Sequence, residues 1–304
     1  MKRERKISIV SFSMAVFVPT TLLLILLLPI FQWSLRVEAS AHYIPEYEKL
    51  NIEPILQKET LSEEDYEILF WQTGMARAGV DTLRERGEQE LLVDLQERFF
   101  AEVEISCTHN TLISRSERLT ASSELSCNSL ADCDLGEQQE TSRVFLPVAE
   151  PGDVLVTFSG HVLGWRSGHA GIVVDGERRL TLEAITLGCD SQVCSLERWS
   201  QYPCFALLRL KEATPEKRKE IADYALEHFN GVPYSLTVLC TEAENEMPAA
   251  SAATHCSHLV WAVYRHFGYD LDSDGGYIVT PRDLYDSNRL ELIQLYGLKP
   301  EGKT

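Results

Sequence analysis

The chain predicts an α+β fold, a mainly antiparallel sheet with helices packed against it, preceded by a membrane or signal segment and a small helical region. Three observations carry this. Short β-rich runs separated by Gly, Ser, Asp and Arg fill residues 154–210, two amphipathic helical patterns follow them, and an uncharged apolar stretch opens the chain.

The first element is the N-terminal segment, residues 1–39. It begins M-K-R-E-R-K, then has no charged residue from Ile7 to Leu35, a stretch that includes L-L-L-I-L-L-L-P-I-F. That is long enough to cross a bilayer, which takes about 20 residues, and the small residues around Ala39 and Ala41 also suit a cleavage site. Either outcome, an anchor or a cleaved signal peptide, keeps the basic flank in the cytoplasm and delivers the rest outside the membrane. The expected location is therefore extracytoplasmic, with the membrane as a partner only through this segment. The formal charge of the whole chain is -18, and the first 39 residues contribute positively, so the exported part is more acidic still. Such a surface repels phosphate backbones and anionic head groups, which argues against nucleic acid as a partner.

A helical N-terminal region occupies residues 40–142. Ser62 and Asp65 form a capping box ahead of Y-E-I-L-F-W, Gly74 and Gly87 punctuate the pattern, and Leu91, Leu92, Leu95, Phe99 and Phe100 recur at helical spacing as ordinary core. Residues 120–142 are polar and mixed and read as a surface loop or linker that Cys127 and Cys133 can tie. The boundary falls near residue 143, and 143–304 forms the second unit.

There the period turns strand-like: V-L-V-T-F-S (154–159), H-A-G-I-V-V-D (169–175), R-L-T-L-E-A-I (179–185) and C-F-A-L-L-R-L (204–210). P-E-K-R-K-E-I-A-D-Y-A-L-E-H-F then reads as a helix ended by Asn230-Gly231. C-S-H-L-V-W-A-V-Y-R-H-F-G reads as another, with Thr254 as its expected N-cap and Gly268 at its end.

The eight cysteines show no C-x-x-C pair and no compact zinc spacing, so no metal and no cofactor is expected. Cys256 stands apart, because it opens a helix and lies between two histidines. The positive end of a helix dipole and a nearby imidazolium both lower a thiol's pKa from about 8.5. His255, His258 and His169 are the candidates for the base. The first two do not readily face the Cys256 sulfur from a regular helix, whereas His169 begins a strand among small neighbours. Glu183 lies in the middle of an apolar strand, and a buried carboxylate needs a partner such as an imidazolium. Asp270, Asp272, Asp274 and Gly275 spell the opening of a calcium loop, but the twelfth position is Pro281, so the segment reads as a solvated turn.

The blocks G-D-V-L-V-T-F (152–158), G-H-A-G-I-V-V-D (168–175), T-L-E-A (181–184), G-V-P-Y-S (231–235), H-C-S-H-L-V-W (255–261) and T-P-R-D-L (280–284) together resemble the NlpC-type papain-like cysteine peptidases. Their order is reversed relative to most of that family, as in its circularly permuted, YiiX-like branch. The resemblance implies a papain-like fold over about residues 147–297, Cys256 as nucleophile, His169 as general base and Glu183 as the residue that orients the imidazole. It also implies Tyr234 near the developing oxyanion. Trp165, in the loop before His169, is a further candidate for the substrate groove. Residues 240–253 form an insert between Tyr234 and Cys256 that leaves the position of Tyr234 open. The implied chemistry is acyl transfer, and export makes a cell-wall peptide amide the leading substrate. The alternatives are an acyl ester or lipid substrate, and a silent binding module with Cys256 as a structural thiol.

Overall fold

A computed structural model of the protein describes residues 42–101, 109–110, 144–162, 165–166, 168–238 and 253–300, together with Leu23, Leu26 and Leu27. The rest of the predicted signal or anchor and the loop over 120–142 lie outside the described residues. Among the described residues no helix is long and apolar enough to cross a membrane.

Among the described residues from 42 onward, four helices come first: α1 (Glu53–Leu56), α2 (Glu63–Thr73), α3 (Arg77–Glu85) and α4 (Leu91–Phe100). The predicted capping box is present, with the Ser62 side chain accepting from the Asp65 amide and the Asp65 carboxylate accepting from the Ser62 amide. Gly74, at φ +72°, ends α2 in the left-handed conformation that L side chains disfavour. The short α1 escapes the periodicity reading because a single turn carries too few apolar positions to show a period.

After β1 (His109–Asn110) the strands are β2 (Val154–Thr157), β3 (Gly160–Val162), β4 (Trp165–Arg166), β5 (His169–Asp175), β6 (Leu180–Glu183), β7 (Gln192–Ser195) and β8 (Phe205–Leu210). Three helices, α5 (Pro215–Phe229), α6 (Cys256–His266) and α7 (Pro281–Asp286), precede the last strand, β9 (Leu290–Tyr296). The main sheet has six strands in the order β7-β6-β5-β2-β8-β9, and every pairing in it is antiparallel. A small sheet of β1, β3 and β4 stands beside it.

The sheet has a core on each face. Val154, Val156, Ile172 and Leu208 pack with Ile221, Leu259 and Val263 of α5 and α6. Their neighbours in sequence, Leu155, Val173 and Leu207, join Leu69, Val80, Leu92 and Phe99 of the N-terminal helices. Successive side chains of a strand point to opposite faces, so strands buried on both sides read as continuous apolar runs. The turn between α2 and α3 also closes one edge of the sheet, since the Leu295 amide donates to the Gly74 carbonyl at 2.7 Å and the Ala76 amide to the Ile293 carbonyl at 2.9 Å. An edge strand covered in this way offers few free groups to a foreign strand.

One buried ion pair fixes how α5 meets the sheet. Arg209 on β8 holds Asp153 through two hydrogen bonds of 2.8 Å, and Glu150 bridges Arg209 and Arg218 of α5 at 3.2 and 2.6 Å.

Candidate active site

Cys256 is the first residue of α6 and is buried. The expected N-cap, Thr254, is corrected to His255, whose side chain accepts from the His258 amide. The physical reason is that Thr254 is already engaged. Its amide donates to the Pro233 carbonyl and its carbonyl accepts from the Ser235 amide, both at 2.8 Å, while its hydroxyl lies 3.0 Å from His258 Nδ1. These bonds form a parallel bridge between Tyr234 and Thr254, which answers what the insert left open: Tyr234 is held two residues from Cys256.

His169, the first residue of β5, comes from the opposite side of the site and is fully buried. Gly168 before it, at φ +77°, runs so close to Thr157 that a Cβ there would lie 2.5 Å from the Thr157 carbonyl oxygen. No side chain fits, and the left-handed turn swings the chain into the strand. His169 Nε2 donates to Glu183 Oε2 at 2.8 Å, and the ring stacks on Trp199 with centroids 5.5 Å apart. With Nε2 committed to the carboxylate, Nδ1 is the nitrogen that serves the sulfur.

Glu183 is buried at the end of β6 and has a partner for each oxygen. Oε1 accepts from the Thr181 hydroxyl at 2.6 Å and from Trp199 Nε1 at 3.0 Å, while Arg198 approaches Oε2 at 3.5 Å. A Cβ at Gly171 would meet Glu183 Cγ at 2.9 Å and the Trp199 ring at 3.2 Å, so that glycine clears the room in which carboxylate and indole meet.

The electrostatics follow from this packing. Burial raises the Cys256 thiol, but the influence of His169 and then of His255 outweighs it and holds the pKa at about 5. For His169 burial disfavours the charge, and its bonds to Cys256 and Glu183 overcome that, lifting the imidazole to about 9. Burial also acts against the Glu183 charge, while Arg198 and then His169 keep the carboxyl well below its usual range. A thiolate facing an imidazolium is the resting state these shifts describe. His258 is the opposite case, because burial and then the neighbouring His255 hold it near 3, neutral and unsuited to serve as base. Burial, and next the charge of Cys256, push the Tyr234 hydroxyl far up, so it stays a neutral donor beside the sulfur.

The structure thus brings Cys256, His169, Glu183 and Tyr234 together. Trp165 lies in β4, paired with Val162, and its side chain is outside the described residues. The sequence reading missed Thr181, Arg198 and Trp199. Thr181 was within reach, since it sits two residues before Glu183 on the same face of one strand. Arg198 and Trp199 were not, because they arrive on a 3-10 helix, Leu196–Gln201, and nothing in the chain marks that turn as a neighbour of Glu183.

Among the described cysteines Cys194, Cys204 and Cys256 are thiols outside any disulfide, and Cys189 is disulfide-bonded. Asp272 and Asp274 of the calcium-like turn meet Asp283, a residue beyond the expected twelfth position, with their oxygens within 4.8 Å of one another. Asp283 already caps α7 and accepts from Ser273, and the turn amides of Asp274 and Gly275 occupy Asp272.

No family model matches the chain, and no curated protein matches it. Among solved structures it is similar to the metalloprotein yiiX from Escherichia coli O157:H7, at 15% identity over 48% of this chain and 96% of that one, with a TM-score of 0.38. A likeness this distant carries no functional argument. The case for function rests on the site.

Proposed function

We propose that the protein is a cysteine hydrolase that works through an acyl-enzyme, with Cys256 as nucleophile, His169 as general base and acid, and Glu183 as the group that orients and charges the imidazole. One observation carries this reading: a buried cysteine at a helix start is coupled electrostatically to a buried histidine, whose Nε2 is held 2.8 Å from a buried carboxylate. Structural thiols do not need such an apparatus. The order of the motifs, which resembles permuted NlpC-type papain-like peptidases, supports the same assignment.

In the first step the thiolate attacks the carbonyl carbon, forming a C–S bond, and the carbonyl oxygen takes the negative charge. The Cys256 amide at the start of α6 is placed to receive that oxyanion, and the Tyr234 hydroxyl is a further candidate donor. The C–N bond then breaks as His169 Nδ1 passes its proton to the leaving nitrogen. Water gives a proton back to Nδ1, attacks the thioester carbon, and the C–S bond breaks to return the thiolate and release the acid. Glu183 stays ionised throughout and stabilises the imidazolium.

A cell-wall peptide amide is the leading substrate, on the argument that the chain is exported. A second reading, an acyl ester or lipid, is favoured by the exposed side chains Leu236, Tyr277 and Ile278. Leu236 follows the segment bridged to Thr254, and Tyr277 and Ile278 precede Val279, whose carbonyl accepts from the Ser257 hydroxyl at 2.8 Å. Incubating the purified protein with cell wall and, in parallel, with acylglycerols separates the two, with products identified by mass spectrometry. Release of peptide fragments by wild type but not by Cys256→Ala supports the first reading, and release of fatty acid alone supports the second. Release of neither, with an unreactive Cys256, leaves the binding module.

A further inference from the structure

His255 adjoins Cys256 in sequence, and the scheme above gives it no chemistry. Its position is settled by the helix. As N-cap of α6 it accepts the His258 amide hydrogen on Nδ1 at 3.4 Å, and the Ser257 hydroxyl lies 3.4 Å from the same nitrogen. A ring nitrogen that accepts from a backbone amide bears no proton, so the neutral ring carries its hydrogen on Nε2. The cap therefore selects the tautomer.

That Nε2 is buried and has no hydrogen-bond partner among the described residues, in a side chain only 5% exposed. Leaving a buried donor without an acceptor costs about 1–3 kcal/mol, and such a group calls for an explanation. Here the explanation adjoins it. The groups around the sulfur are His169 from β5, with Glu183 and Arg198 behind it, Tyr234 from the bridged segment, the Ser257 hydroxyl at 4.0 Å, and His255 itself. Only His169 carries a proton that the reaction uses.

We infer that His255 is a second imidazole of the reacting centre: its Nε2–H donates first to the Cys256 thiolate and then to the carbonyl oxygen that takes over the negative charge. The role fits a donor that must not give up its proton. His169 is held as the imidazolium by Glu183, whereas His255 has no carboxylate partner among the described residues. The lowering of the Cys256 thiol by His255, smaller than that by His169, is consistent with such a contact. This inference rests on the proposed function only in taking Cys256 as the nucleophile.

The test replaces the donor and keeps the cap. Asn and Asp both cap helices well, so His255→Asn and His255→Asp preserve the start of α6 and remove Nε2–H. The full chain is alkylated with iodoacetamide from pH 4 to 10, Cys256 is quantified by peptide mass spectrometry, and melting temperatures establish that each variant is folded. In His255→Asn the apparent pKa of Cys256 rises and its labelling at pH 5 slows by about threefold to tenfold, while His255→Asp, which places a like charge beside the thiolate, raises it further. A wild-type profile in folded His255→Asn overturns the inference and leaves the proposed function standing. A wild-type Cys256 that labels as an ordinary thiol overturns the proposed function instead. Should His255→Asn fail to fold, His255→Asp decides alone, and a profile equal to wild type overturns the inference.

Discussion

Replacing Glu183 by Gln tests the charge behind His169 with almost no change of shape. The carboxylate accepts from four donors: His169 Nε2 at 2.8 Å, the Thr181 hydroxyl at 2.6 Å, Trp199 Nε1 at 3.0 Å and, more distantly, Arg198 Nη1 at 3.5 Å. A Gln amide offers one oxygen and an NH₂ that accepts nothing. If the oxygen faces His169, Thr181 can turn its hydroxyl to accept from the NH₂, but the Trp199 N–H, which can only donate, meets another donor. That orphaned group costs about 1–3 kcal/mol in stability. The hydrogen bond to His169 meanwhile falls from a charge-assisted bond of about 1.5–3 kcal/mol to a neutral one of about 1 kcal/mol. At 1.36 kcal/mol for each pKa unit, the imidazolium drops by about one unit from its pKa of about 9. Removing the charge also weakens stabilisation of the imidazolium as it forms during turnover, for a loss in rate on the order of ten- to ten-thousand-fold. The assay is the pH profile of Cys256 alkylation and of turnover, with a thermal melt of the same samples. Glu183→Gln protein whose basic limb does not move, and which turns over at the wild-type rate, refutes the argument that this carboxylate sets the charge state of the site.

Other outcomes follow from the same geometry. Activity should be bell-shaped in pH, because the thiolate is lost as pH falls through about 5 and the imidazolium as it rises through about 9, the two values belonging to the coupled pair; a flat profile between pH 4 and 10 contradicts the ion pair. The same pair bears on stability with opposite signs at its two ends. The lowered Cys256 pKa contributes stability that disappears as pH falls through about 5, and the raised His169 pKa contributes stability that disappears as pH rises through about 9, which urea titrations across the range measure. At pH 6 iodoacetamide should label Cys256 ahead of the buried thiols Cys194 and Cys204, and His169→Ala should slow that labelling. Arg209→Met strands the buried Asp153 carboxylate and should cost about 3–5 kcal/mol, read from denaturant midpoints; a loss under about 1 kcal/mol means Asp153 is neutral in the fold.

What could be read from the chain and what could not divide along physical lines. Local regularities were legible: the Ser62 and Asp65 cap, the stop at Gly74, the apolar strands 154–157, 169–175 and 205–210, and the two helices after them all depend on residues close in sequence. Cys256, His169 and Glu183 were legible for a related reason, since each sits in a short stretch whose residue types betray its environment: a thiol at a helix start, a histidine among small residues, a carboxylate inside an apolar strand. β9 was not, although Leu290–Tyr296 is apolar, because only pairing with β8 and covering by the turn at Gly74 make an edge strand of it. β7 depends in the same way on pairing with β6. The cap at α6 moved from Thr254 to His255 because a bridge to Pro233–Ser235, separated from it by the whole insert, occupies the Thr254 backbone. Arg198 and Trp199 reach Glu183 only because the 3-10 helix after β7 folds back over Gly171. The sequence by itself determined where a thiol opens a helix, where an imidazole begins a strand among small residues and where a carboxylate lies inside an apolar strand. Tertiary structure alone decided which nitrogen faces which partner, and so which histidine is charged, because a hydrogen bond depends on distances of a few tenths of an ångström between groups that the chain order keeps far apart.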